Sequence, residues 1–410
     1  MTAQPAARKK FDVGGVLLDR PFKIRRLNHF GLNTADMDAA LHFYGTLLGF
    51  RVTDTLDMTG IVKRRFPDLE QPCSGTGYFL QHNSDHHTLV LFSAWHYQTL
   101  MGNLPDGVSA NQITWQANSM AEVNNAIGWF QGNGHKLHKV GRDMPGSNWH
   151  LYMFDPDRHR NEIVYGIEQI GWDGLSKPRE MYYRAFHDTP AIPQTNEYTE
   201  VQDALARGID IHSGYRHLDA LPANHDVEGI MLPRPFKVVK HGPVGLFVED
   251  LEIALDFYVH ELGFTITEEV TYEGHRCVYL RANTEHHSLA LYPIEMRGVT
   301  GLAQTSTTAM FGCQVASYRQ LRNAVEFFKA NGCDVLEPDP ALHPGIDYAA
   351  HVVDPDGHVV QLYYYMEQIG WDGKPRPAAE RPVITPGEWP ETVPNYSDTY
   401  QGETFLGPWG

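Results

Sequence analysis

The chain contains itself twice, and only one copy keeps residues that could hold a metal ion. Glu162-Ile-Val-Tyr-Gly-Ile-Glu-Gln-Ile-Gly-Trp-Asp-Gly174 recurs 199 positions later as Gln361-Leu-Tyr-Tyr-Tyr-Met-Glu-Gln-Ile-Gly-Trp-Asp-Gly373. Upstream, Gly15-Val-Leu-Leu-Asp-Arg-Pro-Phe-Lys23 matches Gly229-Ile-Met-Leu-Pro-Arg-Pro-Phe-Lys237. Fourteen residues after each leading glycine the first copy has His29 and the second Pro243; at the far end Glu162 faces Gln361. Repetition fixes the architecture, and the differences between copies mark where chemistry can remain.

The bulk properties narrow the partners. A formal net charge of −17 argues against nucleic-acid backbones and anionic membranes. A hydrophobic content of 42% is ordinary for a globular protein, and no apolar run approaches a membrane span. The first ten residues lack the apolar core of a secretory signal, and Cys73, Cys277, Cys313 and Cys333 form no C-x-x-C pair. A cytoplasmic protein with buried, reduced thiols is the expectation.

Each copy reads as strand, helix, then further strands. After the strand-like His29-Phe-Gly-Leu-Asn-Thr34, Asp36 can cap a helix in which Met37, Ala40, Leu41, Tyr44 and Leu48 recur at helical spacing before Gly49. The second copy repeats this with Asp250, Leu251, Ala254, Leu255, Tyr258, Leu262 and Gly263. Strands then follow, and a similar unit recurs later in each copy, with helices over 121–131 and 318–330 and the turns Asp155-Pro-Asp-Arg158 and Asp354-Pro-Asp-Gly357. The expected class is α+β: a tandem repeat of paired βαβββ modules, four in all, each pair forming a curved, cup-like mixed sheet with helices outside. The expected organisation is an N-terminal domain over 1–174, a connector over 175–228, a C-terminal domain over 229–373, and a Pro-rich arm over 374–410. Trp172 and Trp371, in the repeated Ile-Gly-Trp-Asp-Gly, are expected to pack the joint between copies.

Four βαβββ units, the order Asp-Met/Leu, Phe-Tyr and Leu-Gly-Phe in both copies, the His-His-x-Leu strands at His86 and His286, and Asp354-Pro-Asp-Gly-His358 together resemble the vicinal oxygen chelate superfamily. Within it, the chain is similar to two-domain type I extradiol ring-cleavage dioxygenases, over 22–174 and 236–373. The resemblance implies one divalent metal in a cup, most often Fe(II), with Mn(II) or another divalent ion as alternatives. It places the ligands at His29, Gln112 and Glu162. Gln112 stands where relatives carry a histidine, so an amide oxygen replaces an imidazole, and Gln116 on the same strand face could substitute. It further implies His87 as the acid–base group and Tyr152 as a hydrogen-bond donor to the reacting oxygen, with His150 and Asp143 lining the same mouth. The second copy has Pro243, Met310, Gln361, His287 and His351 at the matching positions and is expected to have lost its site.

The function implied is cleavage of a catechol-like aromatic diol by O₂, in a homo-oligomer with no nucleic-acid or membrane partner. Two other readings stand beside it. One is a non-redox isomerase, epimerase or lyase on a divalent metal, favoured by the glutamine. The other is a non-catalytic protein that sequesters a small aromatic ligand, for which binding would be unaffected by loss of His29 or Glu162.

Overall fold

The computed structural model describes residues 9–394, apart from 103, 143–145, 147, 183–187, 190–194 and 386. Asp143 and Trp409 therefore lie outside the described residues. The first copy opens with a hairpin, β1 (Phe11–Val13) and β2 (Val16–Leu18). Its main strands are β3 (Arg26–Thr34), β4 (Arg51–Asp57), β5 (Thr76–Gln81), β6 (Leu89–Ser93), β7 (Ala110–Ala117), β8 (Lys139–Gly141), β9 (His150–Phe154) and β10 (Arg160–Tyr165). They form one eight-stranded mixed sheet in the order β4-β5-β6-β3-β7-β10-β9-β8. The second copy repeats the plan. After the hairpin β11 (His225–Val227) and β12 (Ile230–Leu232) come β13 (Val238–Val248), β14 (Thr265–Tyr272), β15 (His275–Arg281), β16 (Leu289–Pro293), β17 (Thr308–Val315), β18 (Val335–Leu336), β19 (Ala349–Val353) and β20 (Val359–Tyr363). Their order, β14-β15-β16-β13-β17-β20-β19-β18, is the same. In each sheet the two modules join through the antiparallel central pair, β3 with β7 and β13 with β17.

The helices begin where the sequence says they should. Asp36 accepts from the Ala39 N–H and Asp250 from Glu252 and Ile253, each satisfying an otherwise orphaned donor. Both helices then widen into a π-turn, over Leu41–Leu47 and Asp256–Leu262. The later helices, Met120–Gly132 and Tyr318–Ala330, are capped by Ser119 and Ser317. Helices Met58–Arg65 and Ala94–Met101 occur in the first copy without a sequence expectation; the second copy has a direct β14–β15 hairpin and a short 3₁₀ turn in their places.

The two copies share one continuous apolar core. Phe30 stacks on Phe311 with centroids 4.8 Å apart, Trp115 meets Phe264 edge-on at 4.8 Å, and Phe43 packs on Phe328. The last hairpin turn of each copy also locks into the other. Tyr44 donates to Asp354 Oδ2 at 2.9 Å, and Tyr258 donates to Asp155 Oδ2 at 2.8 Å. The neighbouring turn aspartates accept backbone N–H groups in the same reciprocal way, Asp356 from Ala35 and Asp157 from Glu249. The Arg-Pro-Phe repeats cross over too: Arg20 reaches the carbonyls of Val259 and His260, and Arg234 reaches that of Thr46. Gly49 (φ +90°) and Gly263 (φ +93°) lie beneath these guanidiniums, where an added Cβ would stand 2.6 and 2.3 Å from the arginine Nε.

Two expectations are corrected, and the surface beneath the arm is placed. Trp172 and Trp371 are 100% exposed and pack no joint; Gly171 and Gly174 fold the first of these turns outward through the bonds Gly171 N–Leu175 O and Gly174 N–Gly171 O. Cys73 is exposed, unlike the buried Cys277 and Cys313. The arm, as far as 394, lies on its own second copy: Trp389 packs against Tyr318 and Tyr348, and Arg381 pairs with Glu268. Among the described residues no helix is long and apolar enough to cross a membrane.

The crossed tyrosines give a direct test of the shared core. Tyr44→Phe and Tyr258→Phe should each lower unfolding free energy by about 1.5–3 kcal/mol, the range for a hydrogen bond to a charged group. Urea denaturation measures this, and an unchanged midpoint in both variants would contradict the interlock.

Candidate metal centre in the first cup

Side chains alternate across a strand, so residues two apart share a face. His29 on β3, Thr114 on β7, Glu162 on β10 and Tyr152 on β9 form one row across the sheet: His29 pairs with Thr114, Thr114 with Glu162, and Glu162 with Tyr152. By the same parity Gln112 and Arg160 occupy the next row, and His150 lies beyond Tyr152 on the other side.

The row closes on the Glu162 carboxylate, which is fully buried. His29 Nε2 stands 3.1 Å from Oε2, His150 Nδ1 stands 3.2 Å from Oε1, and Thr114 donates its hydroxyl to Oε2 at 2.6 Å. Burial alone would raise the pKa of Glu162. The His29 hydrogen bond and charge outweigh it, with the His150 charge and the Thr114 hydroxyl, and hold it down to about 2. The group is an ionised carboxylate in a dry cup.

A relay orients His29. Arg26 Nε donates to Gln116 Oε1 at 2.7 Å, and Asn28 Nδ2 donates to the same oxygen at 3.0 Å. Asn28 therefore turns Oδ1 toward His29 Nδ1, 2.8 Å away. Asn28 thus holds Nδ1, and Nε2 faces the carboxylate, where a proton on Nε2 or a bound cation completes the contact. Glu162 Oε1 is buried and accepts no hydrogen bond among the described residues. Two donors each about 2.1 Å from an ion and about 90° apart at it stand about 3.0 Å from one another. The 3.1 Å between His29 Nε2 and Glu162 Oε2 is the spacing of two such donors.

Gln112 is buried on the same face, one residue pair along β7 opposite Gly31, and its side chain makes no hydrogen bond among the described residues. Gln116 is committed to Arg26 and Asn28, so its role is to orient His29. His87 packs its ring 4.3 Å from that of His29 and 4.9 Å from that of Phe79, with Nδ1 3.0 Å from His86 Nδ1. Burial first, then the charges of His29 and His86, push its pKa well below the ordinary histidine value, so it is a neutral imidazole. Tyr152 is buried with its ring 4.8 Å from His150 and under the Arg160 guanidinium at 3.8 Å. Arg160 also bonds Tyr97, whose hydroxyl donates to the Asn111 carbonyl. Thr114, Arg160 and Tyr97 were missed in the sequence. The first two were readable from alternation, standing two residues from Gln112 and Glu162; Tyr97 lies on a helix that no repeat announced.

Among the described residues two clusters of three acidic or histidine side chains have the mutual spacing of metal ligands, neither of them includes His29 or Glu162, and both are already satisfied. Asp354, Asp356 and His358 bond the turn backbone, Tyr44, Thr34 and Ala35. Glu168, Glu197 and Glu200 converge on Lys177. The second cup is filled instead of polar. Tyr279, Tyr292, Met310, Leu302 and Leu342 form an apolar cluster in it, and Gln361 Nε2 meets His351 Nε2 at 2.9 Å.

Residues 26–163 and 240–362 match the Glyoxalase/Bleomycin resistance protein/Dioxygenase superfamily, and the chain belongs to it. A 144-residue stretch is 30% identical to 3-methylcatechol 2,3-dioxygenase of Pseudomonas putida, covering 35% of this chain and 43% of that relative, so less than half of the relative's length is spanned. Among solved structures, the Mn(II)-bound glyoxalase from Novosphingobium aromaticivorans superposes with TM-score 0.54 at 15% identity, over 92% of this chain and 95% of that one. A catechol 2,3-dioxygenase gives TM-score 0.53 at 16% identity, over 86% and 92%. Both structural likenesses speak for the fold.

The burial of His87 sets an expectation for pH. A lowered pKa keeps the imidazole neutral through pH 6, where a solvent histidine, with pKa near about 6.5, is mostly charged. Imidazole ¹⁵N shifts of the metal-free protein should show a neutral tautomer for His87 at pH 6; cationic shifts would contradict the burial argument.

Proposed function

We propose that the chain is a metal-dependent dioxygenase of the extradiol kind, opening the ring of a catechol-like aromatic diol with O₂ at the first cup. The observation that carries this is the His29–Glu162 pair, an oriented imidazole and an ionised buried carboxylate at ligand separation, beside a neutral histidine. The ligands would be His29 through Nε2, Glu162, and the Gln112 amide oxygen. The ion, Fe(II) in the leading reading, would act as Lewis acid toward the diol and supply the O₂ chemistry. The relationship to a 3-methylcatechol 2,3-dioxygenase supports the substrate class.

The chain's own groups then have separate tasks. His87 is neutral and can take a proton at an imidazole nitrogen from a diol hydroxyl, and return it. Its neighbour His86, within 3.7 Å of Asp54 and 3.0 Å of His87, orients it. Tyr152, fixed beneath Arg160, can offer its hydroxyl to the reacting oxygen. Phe79, Phe92 and Tyr97 belong to the apolar cluster of this module and supply a dry wall suited to a ring.

The alternative retained is a non-redox lyase or isomerase on Mn(II), because Gln112 departs from a second histidine and a Mn(II)-bound glyoxalase shares the fold. The experiment reconstitutes the protein anaerobically with Fe(II), supplies a panel of catechols and admits O₂. A yellow ring-fission product with matching O₂ uptake is expected. Turnover without O₂ on Mn(II) would select the alternative, and no product from any catechol would overturn the dioxygenase. In the active protein, His87→Phe should lower kcat by about 10²–10⁴-fold, the usual span for a general acid–base group. Metal uptake should be unchanged.

A further inference from the structure

We infer that the diol taken by the first cup carries a carboxylate on its ring, and that Arg160 holds this carboxylate. The inference rests on the dioxygenase reading above and narrows its substrate class.

Arg160 lies on the cup face of β10, two residues from Glu162 and opposite Phe154 of β9. Two residues of strand span about 7 Å. That separation suits a ring whose diol sits at the His29–Glu162 end and whose substituent points along the hairpin. The guanidinium lies over the Tyr152 ring and bonds the Tyr97 hydroxyl, while its Nε is buried with no hydrogen-bond partner among the described residues. A buried donor without a partner is rare, and a carboxylate is the acceptor that a guanidinium fits best. Glu162, the acid two residues along, is already engaged by His29 and Thr114.

Other cations gather on the same hairpin. Lys139 pairs with Tyr152 across β8 and β9, which puts it in the row of Glu162 and on its face. Arg158, in the turn, covers Phe154 at 4.5 Å, and Phe154 packs into the apolar wall of the cup. His138 meets that ring edge-on. Its pKa is held at about 4 by partial burial and then by the charges of Arg160, Lys139, Arg158 and Lys136. The acids of the turn face the other half: Asp155 accepts from Tyr258, and Asp157 from the Glu249 N–H. This end of the cup is therefore positive, in a chain of net charge −17.

The fold alone does not require these cations, because the second copy lacks them. It has Gly357 and Val359 where the first has Arg158 and Arg160. After the shared Asn-Gly it reads Cys333-Asp-Val-Leu-Glu337, with two acids and no base, where the first copy reads His135-Lys-Leu-His-Lys139. Arg158 is also kept at a backbone cost. Its φ of +71° lies in the left-handed region, which suits the glycine of the sister turn at +84°. A strained arginine in place of an unstrained glycine, at the rim of a cup, points to a task for its charge.

The test compares 2,3-dihydroxybenzoate and 3,4-dihydroxyphenylacetate with catechol and 3-methylcatechol, on the wild type, Arg160→Met and Arg158→Gly. Calorimetry gives Kd for the metal-free full-length proteins, and O₂ uptake gives kcat/KM after Fe(II) loading. At least one carboxylated diol should exceed both neutral ones by about 10- to 100-fold, the range of one hydrogen bond to a charged group. Arg160→Met should bring that ratio close to one. Arg158→Gly should lower it by about 2- to 5-fold, as suits an exposed charge. The ratio is read, not the rate, because Arg160 also holds Tyr152. Equal treatment of neutral and carboxylated diols, or a ratio unchanged in Arg160→Met, would overturn the inference and leave the dioxygenase standing. Without turnover of any diol the dioxygenase reading fails, and the binding ratio of the same compounds decides the inference; no carboxylate-dependent binding overturns it. Should Arg160→Met fail to fold, the wild-type ratio and Arg158→Gly, which relieves backbone strain, decide.

Discussion

A tyrosine hydroxyl buried without water must find an acceptor, and both helix tyrosines of this chain find theirs in the other copy. Tyr44 bonds Asp354 and Tyr258 bonds Asp155, and each aspartate also holds the histidine four residues on, His358 or His159. Those histidines end the turns that launch β20 and β10. The position of Glu162, two residues into β10, is therefore set by a helix of the opposite half. Removing such a contact leaves a buried carboxylate short of a donor, which costs more than the bond itself contributes. The cup is built on this exchange, and His159 to Thr307 and Trp115 to Asn161 hold the same end of the strand.

The halves then divide the work. A buried His–Glu–His cluster is expensive to keep dry without a cation, since each charge is taken from water. The second half has relinquished that cost: its cup is filled by tyrosines and aliphatic side chains, with Gln361 in place of the carboxylate. Its sheet keeps the same strand order and its outer face still completes the common core. A packed half beside a polar half is a reasonable way to carry a buried polar site on a stable frame.

Much of this was legible in the residues. Asp36 and Asp250 before apolar residues at helical spacing gave both helices, and the ordered repeats gave the sheets, because capping and periodicity are local. His29 and Glu162 were legible because one register marks both and the sister copy lacks both. What was not legible depends on pairing between strands distant in sequence. Gln116 reads as a spare ligand until Arg26 and Asn28 are seen on its oxygen. His150 reads as one residue of the cup's mouth until β9 is laid beside β10 and its ring is found 3.2 Å from Glu162. Trp172 and Trp371 were misjudged because a repeated tryptophan suggests a buried role, whereas glycines on either side turn both outward.

The crossed arginines have a consequence for how such a chain can change over generations. Arg20 covers Gly263 and Arg234 covers Gly49, so neither glycine can acquire a side chain unless the arginine of the opposite half withdraws first. Each half thereby polices a position in its twin. Inside the cups the two copies differ, Pro243 and Gln361 against His29 and Glu162, while along the seam both keep the arginine and the glycine. A duplicated protein tied in this way can abandon one of its two reaction chambers without ever becoming free to shed the half that holds it.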